Sequence, residues 1–312
     1  MNNRLIRALG LVATSLLALA PIQTPATETD SLFSRQNTAA WCIVPFDSLK
    51  RDPAQRAEML KRVGLTKVAY DWRAEHVPQF EQEILEYQKH GLEFFAFWGA
   101  HEGAFKLFEK YNLHPQIWQS AANPPADWER AAQIKKAAEQ LLPHAERART
   151  LGCSFGIYNH GGWGGEPENL VAVCEYLRAN HNAQHVGIVY NQHHGHSHVE
   201  RFEKALEAMK PYLICLNLDG MTAEGDKRGM KILPLGEGEL DLPLLKIIAH
   251  SGYKGPIGII GHTNHDVELR LRDNLDGLDW LAPQIAGKPP GPKPAMRVSL
   301  RVPPAPNPAP AK

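Results

Sequence analysis

Cysteine is scarce in this chain of 312 residues: Cys42, Cys153, Cys174 and Cys215 are the only four. They are widely spaced and form no C-x-x-C pair of the kind that holds zinc. Cys42, Cys153 and Cys215 sit in or beside apolar runs, so the set reads as buried thiols rather than a disulfide framework or a zinc site. An excess of basic charge is also absent. Lysine plus arginine and aspartate plus glutamate both number 34, and without a long basic run nothing supplies the electrostatic footprint of a nucleic-acid partner. A comfortable membrane span is missing as well, because the apolar run Ala8–Ala20 falls short of the roughly 20 residues a span needs.

That run, preceded by Arg4 and Arg7, has the form of an export signal. Pro21 hinders cutting directly after Ala18-Leu19-Ala20, which makes processing near Thr24-Pro25-Ala26 as plausible. The expectation is a signal peptide over 1–26, a leader over 27–37, and an exported, periplasmic or secreted protein with no span left after signal removal. At the other end, Gly287-Lys288-Pro289-Pro290-Gly291-Pro292-Lys293-Pro294 and Val302-Pro303-Pro304-Ala305-Pro306 predict an extended, disordered proline-rich tail over 287–312, outside the fold.

Histidine, in contrast, is concentrated. His193, His194, His196 and His198 follow directly on the apolar run Val186-Gly187-Ile188-Val189, which suggests metal or proton chemistry but equally suits a polar strand-to-helix turn. Between residues 38 and 286, apolar β-type runs alternate with amphipathic helices such as the stripe Val199, Phe202, Ala205, Leu206 and Met209. The strand-like runs are Trp41–Phe46, Lys67–Trp72, Glu93–Trp98, Ser154–Tyr158, Val186–Tyr190, Tyr212–Leu218, Lys231–Leu235 and Pro256–Ile260. Eight such units over roughly 250 residues predict an α/β protein, a (β/α)8 TIM barrel. His101–Trp118 then reads as an insertion after the third strand, placed to cover the barrel mouth.

Nearly every predicted strand ends in a hydrogen-bonding group: Asp47; Asp71, Arg73, Glu75 and His76; Trp98 and His101; Asn159 and His160; Asn191, His193 and His194; Asn217 and Asp219; Glu237 and Glu239; His262. In barrels these ends converge on one pocket, although Asp and Asn also serve there as helix caps. Trp98 and Trp163 offer flat apolar surfaces on which a ring could stack, and Gly161-Gly162-Trp163-Gly164-Gly165 reads as a mobile lip over the pocket.

The stretch Leu235-Gly236-Glu237-Gly238-Glu239-Leu240-Asp241, followed by Ser251-Gly252-Tyr253-Lys254-Gly255-Pro256 leading into the last strand, resembles the xylose isomerase-like TIM barrels, the sugar phosphate isomerase/epimerase family. The resemblance covers all eight units and is specific only here. Its metal-bearing members place Glu, Asp, His and Glu on the fourth, fifth, sixth and eighth strands. The matching positions are Asn159, Asn191, Asn217 and Ile260, which cannot neutralise a hard divalent cation. No metal ligand is therefore assigned, although a metal relocated to His160, His194, His262 or Glu237 is an alternative and the cofactor stays undetermined.

What the resemblance implies is a sugar isomerase or epimerase that moves a proton next to a carbonyl, with a small-molecule carbohydrate as partner. Neutral donors favour a keto-sugar, whose proton is already acidified, and export disfavours a sugar phosphate. The expected catalytic residues are His160, His194 and Glu237. Asp71, Arg73, Trp98, Asn159, Asn191, Asn217, Asp219 and His262 are expected to bind substrate. A lyase or hydratase on the same substrates, or a noncatalytic carbohydrate-binding barrel, are the competing readings.

Overall fold

The computed structural model describes residues 32–298; the predicted signal segment and the last part of the proline-rich tail lie outside them. Eight parallel strands close on themselves: β1 (Thr38–Trp41), β2 (Lys67–Tyr70), β3 (Glu93–Trp98), β4 (Gln116–Ser120), β5 (Phe155–Tyr158), β6 (Val186–Asn191), β7 (Leu213–Leu218) and β8 (Ile257–Ile260). β1 completes the ring by pairing with β8, Thr38 opposite Ile257 and Trp41 opposite Ile260. Around it run α1 (Pro53–Val63), α2 (Phe80–His90), α3 (Glu102–Tyr111), α4 (Arg130–Thr150), α5 (Pro167–His181), α6 (Phe202–Met209), α7 (Asp241–His250) and α8 (Val267–Ile285). This is the TIM barrel expected from the alternation. Among the described residues no helix is long and apolar enough to cross a membrane, and all four cysteines are buried and unpaired.

The strand count is right, but two of its members change. Gln116–Ser120 is β4, hidden in the sequence by its two glutamines. Gln116 turns its polar end to work inside the barrel, accepting from Trp118 Nε1 at 2.8 Å and donating to the Ile214 carbonyl at 3.1 Å. Lys231–Leu235 is not a strand. It belongs to the long β7–α7 loop, where the short apolar run Ile232-Leu233-Pro234-Leu235 resembles a buried strand because Leu233, Pro234 and Leu235 are all buried. A single antiparallel bridge, Gly220 to Leu233, and the Asp241 carboxylate shape that loop. Asp241 accepts from the backbone of Met221 at 2.6 Å, Gly236 at 2.7 Å and Gly238 at 3.0 Å. Asn159, Asn191 and Asn217 consequently end the fifth, sixth and seventh strands, not the fourth, fifth and sixth. The run Trp41–Phe46 is strand only up to Trp41; Cys42 leaves the sheet with a left-handed φ of 57°.

Local signals place the helices. Asp52 caps α1, accepting from Gln55 N at 2.8 Å, while Gln55 returns the bond and Pro53 occupies the first turn. The apolar residues form two shells, one between sheet and helices and one inside the barrel. The inner shell is aromatic: Trp41 meets Trp118 edge-on at 4.9 Å, and Tyr158 lies 6.1 Å from Trp118 and 4.7 Å from Trp98. Gly156 makes room for this packing, since a Cβ there would stand 2.5 Å from Val189 Cγ2 and 2.9 Å from Trp118 Cδ1. These rings fill the interior and leave open space only at the strand ends.

The described part of the proline-rich tail is not outside the fold. It runs along α8, with Trp280 Nε1 donating to Gly291 O at 2.9 Å, Lys293 paired with Glu237 at 2.6 Å, and the Val298 N–H on the Asp273 carboxylate at 2.9 Å. The Gly161–Gly165 lip is also fastened, as a short 3-10 turn over Trp163–Gly165. Trp163 Nε1 donates to Gln133 Oε1 at 3.0 Å, and Asn123 Oδ1 accepts from Gly164 N at 2.9 Å.

Gly277 tests how α8 holds the β7–α7 loop. A Cβ at this helical position would lie 1.7 Å from the Leu235 carbonyl oxygen. Helix propensity alone favours alanine by about 1 kcal/mol, but overpacking costs about 1–3 kcal/mol, and here the obstacle is backbone. Gly277→Ala is expected to lower the unfolding free energy in urea denaturation despite its better propensity.

Candidate active site

All strands of a parallel barrel deliver their C-terminal ends to one rim. Here the rim encloses a chamber of about 90 Å³ lined by Trp41, Cys42 and Phe46 after or on β1, Asp71 and Arg73 after β2, and Trp98 on β3. Tyr158 and His160 from β5, His193 and His194 after β6, and His262 after β8 complete the wall. A water needs about 10–15 Å³ of cavity, so the chamber has room for a small polar molecule rather than a dinucleotide.

Of the residues singled out in the sequence, His160, His194, Asp71, Arg73, Trp98 and His262 are brought together on this wall. Glu237 is not: it lies on the β7–α7 loop, tied to Lys293. Asn159 and Asn191 face each other instead of the chamber. Asn191 N donates to Asn159 Oδ1 at 2.6 Å, and Asn159 Nδ2 returns a bond to the Asn191 carbonyl at 3.1 Å. Asn217 is fully buried with Oδ1 against the Cys215 sulfhydryl at 3.5 Å. Asp219 is buried, within the field of Asp241, Arg270 and Lys231. None of these five is on the chamber wall. Trp163 is also turned away from the chamber, toward Gln133.

Sequence reasoning missed Tyr158, Trp41, Cys42 and Phe46, and it listed His193 among the strand ends without giving it a site role. For Tyr158 the signal existed. Side chains alternate along a strand, and in Phe155-Gly156-Ile157-Tyr158 the small Gly156 marks the inward face that Tyr158 shares. Asn159, one residue on, then points elsewhere. Of the dense histidine segment, only His193 and His194 reach the chamber. His196 Nε2 is 2.9 Å from the Lys231 carbonyl, and His198 bridges Tyr190 OH at 2.9 Å and Glu166 at 3.4 Å.

The imidazoles crowd one another. Ring centroids are 3.7 Å apart for His193 and His194, 4.6 Å for His160 and His194, and 5.9 Å for His193 and His262. Burial, reinforced by neighbouring histidines and the cations Lys231 and Arg73, disfavours protonation of all four. His194 is pushed down to about 2 and His262 to about 4; His160 and His193 are lowered too. Asp71 moves the other way. Burial lifts it to about 6 against the partial relief of Arg73 and of the Val44 N–H, which Oδ1 accepts at 3.3 Å. Its Oδ2 has no partner. Arg73 stacks over Phe46 at 5.2 Å and donates to the Trp72 carbonyl at 2.7 Å; no carboxylate pairs with it among the described residues.

The divalent metal of the resembling barrels does not fit the donors here. The fourth, fifth, sixth and eighth strands end at Ser120, Asn159, Asn191 and Ile260, and the seventh near Asn217, so under either strand count the positions hold no carboxylate and no imidazole. The amides of Asn159 and Asn191 are moreover already committed to internal hydrogen bonds. Among the described residues no set of three His, Cys, Asp or Glu side chains is arranged to hold a metal ion.

No protein-family model and no curated protein matches the chain. Solved structures do. The apo 3-keto-D-glucoside 4-epimerase YcjR from E. coli aligns with a TM-score of 0.57 at 13% identity, covering 79% of this chain and 98% of that one. The probable 3-DHS dehydratase AsbF from Bacillus anthracis gives 0.58 at 10% identity, covering 78% and 98%. A xylose isomerase-like TIM barrel protein from Mycobacterium smegmatis, in complex with magnesium, gives 0.52 at 13%, covering 80% and 96%. These likenesses show the fold, a TIM barrel.

Asp71 carries a stability signature of its placement. Its folded pKa of about 6 lies above the ordinary 3.8, so the native state binds the extra proton between those values, and this residue's contribution to stability falls as pH rises through that window. A displacement of that size corresponds to about 2–3 kcal/mol. Asp71→Asn is expected to be more stable than the wild type at pH 8 by up to that amount, with the difference vanishing toward pH 4 in urea titrations.

Proposed function

We propose that this protein is an exported sugar isomerase or epimerase that moves a proton next to the carbonyl of a keto-sugar. The observation that carries the reading is an acid–base group on each side of one sugar-sized chamber. Asp71 follows β2, His194 follows β6, and in a closed ring of eight strands these stand opposite one another. His160, from neighbouring β5, lies beside His194. The likeness to sugar epimerases supports the substrate class, and the arginine-flanked apolar N-terminus supports export.

In this mechanism the Asp71 carboxylate takes the proton from the carbon beside the carbonyl. The C–H electron pair becomes the new C=C bond, and the carbonyl π pair moves onto oxygen to give an enediolate. His194 is a poor base in the empty chamber. As negative charge develops beside it, its proton affinity rises, so it takes a proton from water and delivers it to the opposite face of the carbon, while the hydroxide left behind takes the proton that Asp71 abstracted and both groups return to their starting forms. The enediolate electrons return to re-form the carbonyl, and the centre is inverted. Delivery to the adjacent carbon instead gives an isomer. Arg73 and His262 bind substrate oxygens, and Trp98 supplies an apolar face. Expulsion of a neighbouring hydroxyl from the same enediolate would make the enzyme a dehydratase, a branch favoured by the likeness to the probable 3-DHS dehydratase.

Keto-sugars incubated with the protein in D2O and followed by NMR are expected to gain deuterium beside the carbonyl, with a rate that rises with pH through about 6 as Asp71 ionises. General-base catalysis contributes about 10²–10⁴-fold, so Asp71→Asn is expected to lose at least about 100-fold. Glu237→Gln is expected to stay within about twofold. Binding of sugars without exchange would overturn the enzyme reading in favour of a carbohydrate-binding barrel.

A further inference from the structure

The reading above leaves the enediolate oxygen without a named partner, and the usual metal position has no donors. One side chain on the chamber wall is nevertheless constrained to donate. The phenol oxygen of Tyr158 accepts from Trp41 Nε1 at 3.2 Å and from Asn191 Nδ2. An indole nitrogen and an amide NH2 are donors only, and a phenol oxygen offers two acceptor lone pairs and one O–H. Both lone pairs are therefore occupied, and the O–H has to point to a third direction.

The orientation of the Asn191 amide is itself determined by the network. Its Oδ1 accepts from the His193 backbone N–H at 3.3 Å. Turning the amide over would set NH2 against that N–H and a carbonyl oxygen against the phenol, so the donor assignment at Tyr158 follows from backbone chemistry. The Asn159 pairing with the Asn191 backbone then holds the strand end that carries this amide. Other polar groups whose charge reaches Tyr158 are the Cys42 and Cys215 thiols. Thiol sulfur is a weak acceptor, and Cys215 is turned to Asn217. Tyr158 lines the chamber with His160 and His194, at ring separations of 6.3 and 5.9 Å.

We propose that Tyr158 is a catalytic residue that donates its hydroxyl hydrogen to the substrate carbonyl oxygen and to the enediolate oxygen formed from it. This rests on the proton-transfer reading. The bond is present with the ketone and strengthens as the carbonyl pair moves onto oxygen, so it stabilises the transition state more than the ground state. No proton needs to leave the phenol, and burial keeps it in its protonated form. The two accepted hydrogen bonds polarise the O–H less than they fix its aim. Tyr158 thus supplies the electrophile, Asp71 and His194 the proton traffic.

The test compares wild type, Tyr158→Phe and an enzyme with 3-fluorotyrosine at 158, using deuterium exchange into keto-sugars that the wild type processes. Removal of an oxyanion donor costs about 100- to 1,000-fold in kcat. That loss is expected for Tyr158→Phe, with KM within about threefold and an unchanged pH midpoint, in protein shown to be folded by circular dichroism. The fluorinated enzyme, which keeps the O–H, is expected to stay within about threefold of wild type. Exchange by Tyr158→Phe at the wild-type rate, or an equal loss in the fluorinated enzyme, would overturn the role of Tyr158 and leave the proton-transfer reading standing. Absence of exchange in the wild type across the panel would overturn both.

Discussion

The aromatic filling of the barrel is the constraint on which the rest depends. A closed ring of eight strands has an interior that side chains have to fill, and here Trp41, Trp118 and Tyr158 do so in edge and offset contacts. Because the rings need volume, Gly156 faces them without a side chain. Because they occupy the interior up to the rim, open space remains only where loops begin, and the chamber is shallow and small. The same rings are not inert filler. Trp41 and Tyr158 turn their polar tips toward one another, joining the packed interior to the chamber wall.

Beside this plug lies a substitution of hydrogen bonds for charge. At the ends of β5 and β6 the Asn159 amide is spent on the Asn191 backbone, and the Asn191 amide donates to Tyr158 and accepts from the His193 N–H. A carboxylate accepts but cannot donate, so it could not replace Asn191 toward the phenol without reversing the bond. The amide positions are thus internally consistent as a structural ladder that, with Trp41, holds the Tyr158 phenol oxygen between two donors.

Electrostatics in the chamber follow from burial more than from any single pair. Desolvation disfavours the charged form of every group, which drives the imidazoles down and the carboxyl of Asp71 up. The outcome is a chamber whose imidazoles are neutral near neutral pH, with Asp71, at about 6, the group closest to its midpoint. The stability cost of an ionised Asp71 is consistent with a side chain held for something other than stability.

Much of this was legible in the chain and some was legible for the wrong reason. Alternating apolar runs and amphipathic helices specify a barrel because the period of each element is a local property. The rim residues Asp71, Arg73, Trp98, His160, His194 and His262 are marked by their place after strands. Yet Gln116–Ser120 concealed a strand, because glutamine inside a barrel is satisfied by partners distant in sequence. Lys231–Leu235 imitated one, because a buried loop segment also presents a short apolar run. Glu237 and Asp219 carry the right chemistry in strand-end positions and still miss the chamber, since Lys293 from the tail claims one and the other is buried within the field of Asp241, Arg270 and Lys231. The sequence by itself determined the architecture and the supply of acid–base side chains. Only the tertiary structure decided which of them meet, because direction and hydrogen-bond partnership at a rim depend on contacts such as Trp41 with Tyr158, 117 residues apart.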